Sequence, residues 1–292
     1  MCILLITNAH PQFPFILCSN RDEFLARPTH TAHQHVYNGM AVFSPQDLAR
    51  VDHGTWIALN PQTGQLAVLV NYREGPKLTV NPVSRGVLPL EYVTSLKRSR
   101  CGFLNELRAK FGSDVLEDIG GFSLMFGTIG GSFDVVSNKT ADDFKVFVEP
   151  GEVHGLSNSK FDQPWEKVNI GEHKLREVLD MGITNKDELV EELFKVLSLD
   201  TMRNITNDYE ANYRNIENSI FIPPLLVRDY TRGNVLAGKY YGTRTQTVIL
   251  QDLKGSITYI ERNLHSSDDL EEKPQQRSFE FTIPNVTKSY FH

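Results

Sequence analysis

The order of signals along the chain predicts an α+β protein: strands, helices, strands, helices and strands again, with sheet packed on sheet and helices outside. Three observations predict it. Short β-branched and aromatic runs follow one another through turn residues, hairpin after hairpin, which makes the sheets antiparallel. Two blocks with an apolar period of three to four residues, one beginning near Gly86 and one over roughly 164–198, interrupt the strands. Helices on one side only would leave the first hairpins exposed, whereas a two-sheet sandwich flanked by helix layers buries both sheets. With 292 residues, 40% of them hydrophobic, the chain can bury one large core, and 1–292 reads as a single domain.

The elements follow in order. Residues 2–8 and 14–19 form a first hairpin, joined by a Pro-containing turn through Ala9, His10 and Pro11. Arg27 to Asn38 is polar, carries His30, His33 and His35, and reads as a surface loop; no carboxylate motif accompanies the histidines to complete a metal site. Strands come next at 40–43, 55–59 and 65–70, with Asn60-Pro61-Gln62-Thr63-Gly64 turning the chain between the last two. Leu88, Leu90, Val93 and Leu96, then Leu104, Leu107 and Phe111, mark the first helical block, with Gly112 as its stop. Strands return at 122–126, 133–136 and 144–148. Leu175, Val178, Leu179, Leu189, Val190, Leu193, Phe194 and Leu197 mark the second helical block. Residues 200–238, with Pro223-Pro224 and many Asn, read as a long irregular loop. A hairpin at 241–250 and 257–262 follows, then an acidic linker over 266–277 and a last strand at 279–283.

Composition excludes several classes of function. The net charge is −6 and the basic residues are scattered, so nucleic acid is not an expected partner. Cys2, Cys18 and Cys101 lack metal or disulfide spacing and suit a reducing compartment. The apolar first twenty residues lack a basic start and contain His10, Pro11 and Pro14, which is not a signal peptide, and no run reaches transmembrane length. The expectation is a cytoplasmic protein without an integral membrane segment. Neither a phosphate-binding loop nor a dinucleotide fingerprint occurs, and no metal or other cofactor is expected.

The chemistry concentrates at Met1-Cys2 and at Cys18-Ser19-Asn20-Arg21-Asp22-Glu23. An initiator methionine before a residue as small as cysteine is ordinarily trimmed, leaving Cys2 with an α-amine and a thiol on one Cα. Their pKa values, near ~8 and ~8.5, let the amine take the thiol's proton at neutral pH. An arginine nearby would lower the thiol pKa and steer an anionic substrate. The same residues have plainer readings. Cys2 in Cys-Ile-Leu-Leu-Ile suits a small buried hydrophobe, and the charges of 21–23 suit a buried network that fixes the hairpin.

Ser19-Asn20-Arg21-Asp22-Glu23 resembles the signature of the NRDE family, the transport and Golgi organisation protein 2 family. Gly54-Thr55-Trp56, Val70-Asn71-Tyr72-Arg73, Ser84-Arg85-Gly86, Gly155-Leu156-Ser157-Asn158 and Tyr241-Gly242-Thr243-Arg244 are similar to its other blocks, in the same order, across residues 1 to about 250. The family in turn resembles the cysteine N-terminal-nucleophile hydrolases, acylases of bile-salt and penicillin amides, with their four-layer αββα sandwich. That resemblance implies Cys2 as nucleophile, Arg21 with Asp22 or Glu23 beside it, Asn71 and Asn158 as oxyanion or amine-orienting groups, and Arg244 as the later arginine that binds a substrate carboxylate or phosphate. Arginine and aspartate are adjacent here, whereas the acylases space them apart. Neighbours on a strand point to opposite faces, so if Arg21 faces the site Glu23 does too.

Two functions follow as expectations. One is hydrolysis of a carbon–nitrogen amide or an acyl thioester on a small anionic or acylated substrate, through an acyl-cysteine and without a metal. The other is a carrier that keeps the fold and uses Arg21 and Arg244 to hold acyl-CoA or haem. The resemblance associates the second with Golgi organisation, secretion and lipid homeostasis, and makes Golgi or mitochondrial membranes candidate places of association. Trp56 reads as a core aromatic.

Overall fold

A computed structural model describes residues 2–72, 83–140, 144–206, 208–227 and 238–283. Two antiparallel sheets lie face to face. The first has the order β10-β1-β2-β12-β13-β14, made of β10 (Val153–Ser157), β1 (Ile3–Thr7), β2 (Phe15–Phe24), β12 (Tyr240–Gln251), β13 (Ser256–Asn263) and β14 (Gln275–Thr282), with the short β11 (Leu225–Leu226) on β12. The second runs β3 (Thr29–Tyr37), β4 (Met40–Asp47), β5 (Ile57–Leu59), β6 (Gln65–Asn71), β7 (Phe122–Thr128), β8 (Phe133–Ser137) and β9 (Phe144–Val146).

Alternation along the strands divides the core into three apolar layers. Leu4, Ile6, Leu17, Leu66, Val68, Ile249 and Tyr259 meet between the sheets. Ile3, Leu5, Ile16, Cys18, Val248 and Leu250 face outward onto helices α4 (Glu166–Asp180) and α5 (Lys186–Leu197). Ala67, Leu69, Leu124 and Phe126 face the other way, onto α1 (Val87–Thr94), α2 (Arg100–Phe111) and the short α3 (Val115–Asp118). The result is the four-layer αββα sandwich expected from the strand and helix order. Among the described residues no helix is long and apolar enough to cross a membrane.

Four stretches differ from the sequence expectation. The histidine-bearing stretch is strand β3, not a loop. It lies at the edge of its sheet, so His30 and Gln34 stay exposed and the apolar alternation that marks an inner strand is missing. Gly155 to Ser157, where no strand is expected, belongs to β10 and pairs with β1. Within 200–238, helix α6 (Tyr209–Asn215) and β11 interrupt the irregular chain, and Ile216, Ile222, Leu225 and Tyr241 form a small core of their own. The last strand begins at Gln275, inside the acidic linker expected over 266–277.

Candidate functional site

β1 lies between β10 and β2, and its register decides the neighbours of Cys2. Ile3 is opposite Ser157 on one side and Asn20 on the other, so Cys2, one residue outward, falls between Asn158 and Arg21. The Cys2 nitrogen donates to Asn158 Oδ1 at 2.6 Å, and Ser157 Oγ donates to the Cys2 carbonyl at 2.7 Å. Asn158 Nδ2 in turn donates to the Asn71 carbonyl at the end of β6. Both halves of the buried Asn158 amide are therefore used, and it ties the start of the chain to the second sheet.

Cys2 alternates with Ile3 and so shares the inter-sheet face of Leu4 and Ile6, against which it packs half-buried. Burial pushes its thiol above the ordinary value, and the Asp22 carboxylate pushes the same way. The Asp22 backbone N–H, which donates to the sulfur, and the Arg21 guanidinium oppose this.

The two-residue period splits the acidic and basic residues of β2 between two environments. Arg21 and Glu23 lie on the inter-sheet face. The Arg21 guanidinium stacks 4.0 Å from the centroid of the Trp56 ring, and its Nη2 is 3.7 Å from Glu23. Glu23 also approaches Arg27 at 3.7 Å, and Arg27 holds Asp47 with two nitrogens, at 3.0 and 2.9 Å. Trp56 is set by a close backbone approach: a Cβ on Gly54 would lie 2.6 Å from the Gly86 carbonyl carbon, and Thr55 N donates to Gly86 O at 2.8 Å. Two blocks far apart in sequence thus meet to place one ring, so Trp56 is a platform for Arg21 as well as an edge of the core.

Asp22 faces the helix layer. Thr243 Oγ1 donates to it at 2.7 Å, and Lys167 Nζ lies 3.5 Å from its Oδ2, with both side chains fully enclosed. Arg244 sits at a β-bulge: Asp22 pairs with Thr243 but Arg21 with Thr245. The extra residue bends the strand and re-aims its side chain. Arg244 is 2% exposed, and its Nε donates to His265 O at 3.0 Å. Burial, then the charge of Arg21, pushes it down to about 10. Nη1 of Arg21 and Nη1 of Arg244 are buried without a hydrogen-bond partner among the described residues.

Asn71 behaves differently from its expected role. Its carbonyl reaches Asn158, while the residue itself is exposed and its place on β6 continues the face of Ala67 and Leu69, toward the α1 layer. Arg73 of the same motif lies outside the described residues. A polar cavity of about 250 Å³ opens beside Asn158, lined also by Tyr72, Ser159, Lys160, Gln163, Trp165 and Glu217. On β3 the rings of His30 and His33 are 4.0 Å apart and those of His33 and His35 5.1 Å, but among the described residues no group of His, Cys, Asp or Glu is arranged to hold a metal ion.

The family model described as Transport and Golgi organisation 2 matches residues 1–266. The chain belongs to this family. A bovine Transport and Golgi organization protein 2 homolog is 32% identical over 88% of each chain, and the human homolog 29% identical over 93% of each. An uncharacterized protein of Saccharomyces cerevisiae is 30% identical over 99% of each chain. Among solved structures, penicillin V acylase from Agrobacterium tumefaciens is similar over 90% of this chain and 83% of its own, with 11% identity and a TM-score of 0.41.

In this member of the Transport and Golgi organisation 2 family, Cys2, Arg21, Glu23, Trp56 and Asn158 lie together around the start of β1, with Arg244 at the bulge of β12 next to Arg21. Sequence reading missed Lys167, which looks like one of many surface lysines in a charged helix. The only hint is its position, two residues after Trp165 and next to the buried Val168.

Proposed function

We propose that the chain is a cysteine hydrolase of the N-terminal-nucleophile type, acting on an amide or acyl thioester of a small anionic or acylated substrate. The observation that carries this is the Cys2 nitrogen held 2.6 Å from Asn158 Oδ1 while the thiol shares a face with Arg21. With Met1 removed, that nitrogen is a free amine. The raised thiol is protonated at neutral pH, so it needs a base, and the amine on the same Cα supplies one.

The Cys2 amine takes the thiol proton, and sulfur attacks the carbonyl carbon, placing negative charge on the carbonyl oxygen. Asn158, with both amide groups engaged, orients the amine rather than stabilising that oxygen. Arg21 Nη1, a buried donor without a partner among the described residues, is the group for the developing charge. Collapse breaks the carbon–nitrogen or carbon–sulfur bond, the leaving group takes the proton from the Cys2 ammonium, and water then hydrolyses the acyl-cysteine. Glu23 holds Arg21 in place, and Arg244 offers a second guanidinium to a carboxylate or phosphate of the substrate.

A second reading rests on the two guanidiniums themselves. Arg21 Nη1 and Arg244 Nη1 are buried donors without acceptors among the described residues, which suits a carrier for the phosphates of acyl-CoA or the carboxylates of haem. Variants separate the two. Cys2→Ser, or a chain that keeps Met1, abolishes turnover of amide and thioester substrates in a hydrolase. A carrier keeps its affinity for acyl-CoA or haem in Cys2→Ala and loses it in Arg21→Leu and Arg244→Leu.

A further inference from the structure

Lys167 occupies the second position of α4, where the helix dipole disfavours a cation, and it is 0% exposed. Its Nζ makes no hydrogen bond among the described residues. A buried ammonium so placed is costly unless an anion compensates it, and Asp22 Oδ2, 3.5 Å away, is the anion present. The close docking of α4 that brings the lysine there is built in by glycines. A Cβ on Gly155 of β10 would lie 2.6 Å from Val168 Cγ1, the residue after Lys167, and one on Gly171 would lie 2.8 Å from Leu5 Cδ2 of β1.

From Asp22 the strand leads directly to Cys2: Asp22 follows Arg21, the residue across from Cys2 in the register of β1 and β2. Its carbonyl accepts from Tyr241 OH at 3.1 Å, and its carboxylate accepts from Thr243 Oγ1, which itself accepts from Ile222 N at 2.8 Å. We propose that Lys167 is a positioning residue for Cys2, acting through Asp22: the ammonium neutralises and anchors the carboxylate so that the Arg21-Asp22 segment of β2 keeps its place beside Cys2. The inference rests on the reading of Cys2 as the nucleophile, and it gives Asp22 a part in the site from the face opposite to Arg21.

The test follows alkylation of Cys2 by iodoacetamide against pH, read by peptide mass spectrometry, with exposed Cys101 as internal reference. In Lys167→Met the Asp22 charge loses its compensating cation and acts on the thiol alone, so the midpoint for Cys2 rises by about half a pH unit or more. In Lys167→Arg, which keeps the charge, it returns toward wild type. In Asp22→Asn/Lys167→Met it falls below that of Lys167→Met. A folded Lys167→Met with the wild-type midpoint overturns the proposal. Should Lys167→Met not fold, a folded Asp22→Asn/Lys167→Met shows that the lysine serves to compensate Asp22, and failure of both shows that the ammonium is needed for something other than Asp22, which also overturns it. The midpoint is measured on chains with and without Met1. Loss of the hydrolase reading through retained Met1 is thereby distinguished from loss of this inference through an unmoved midpoint.

Discussion

The two faces of β2 carry charges of the same kinds in opposite circumstances. On the inter-sheet face Arg21, Glu23, Arg27 and Asp47 form a branched network with Glu23 and Asp47 about a fifth exposed, and Nη1 of Arg21 has no acceptor among the described residues. On the helix face Asp22 and Lys167 form a closed pair with no exposure. The difference teaches a division of labour within one tetrapeptide: the half-open face suits a ligand, and the sealed face suits holding the strand in register beside Cys2.

That contrast sets the expected size of substitutions. Asp22→Ala leaves Lys167 buried without its anion and should cost about 3–5 kcal/mol in denaturant unfolding; a cost near that of a surface substitution would erase the distinction between the faces. Asn158→Ala removes both the acceptor of the Cys2 nitrogen and the donor to the Asn71 carbonyl, for about 1–3 kcal/mol, read in the same assay. Glu23→Ala touches only a half-open ion pair and should cost about 1 kcal/mol or less.

Glu261 sharpens the comparison from β13. It is 2% exposed and accepts Ala32 N–H of β3 at 3.0 Å. Burial raises it to about 6, against the opposing Ala32 N–H and the charges of Arg277, Arg244 and His30. A carboxyl raised on folding binds its proton more tightly in the native state, so its contribution is fully present below the unfolded value near ~4.3 and is lost as pH rises through about 6. Stability measured across that window should fall with a slope that Glu261→Gln removes; an unchanged slope would mean that the carboxylate is well solvated between the sheets.

The fold was legible because its strands alternate and its helices repeat, both driven by burial of one face. Cys2 and Arg21 stand out in the sequence by the chemistry of their side chains, whereas Gly54 and Gly86 stand out only as parts of family-like motifs and their backbone contact appears in the fold. β3 was hidden because an edge strand with three histidines has no apolar face to display. The pairing of β10 with β1, which brings Asn158 to Cys2, is a contact across some 155 residues, and nothing local in Gly155-Leu156-Ser157 distinguishes a strand from a turn. Asn71 was assigned through its side chain, whereas its carbonyl makes the contact. Lys167 was invisible because its burial follows from the close approach of α4 at Gly155 and Gly171, not from its own sequence context.

The most direct measurement is the intact mass of the protein purified from its own cells, before and after a thiol-reactive acyl probe. The account predicts loss of methionine and one acyl group on Cys2. Retained Met1, or an inert Cys2 while Cys18 or Cys101 reacts, would contradict it.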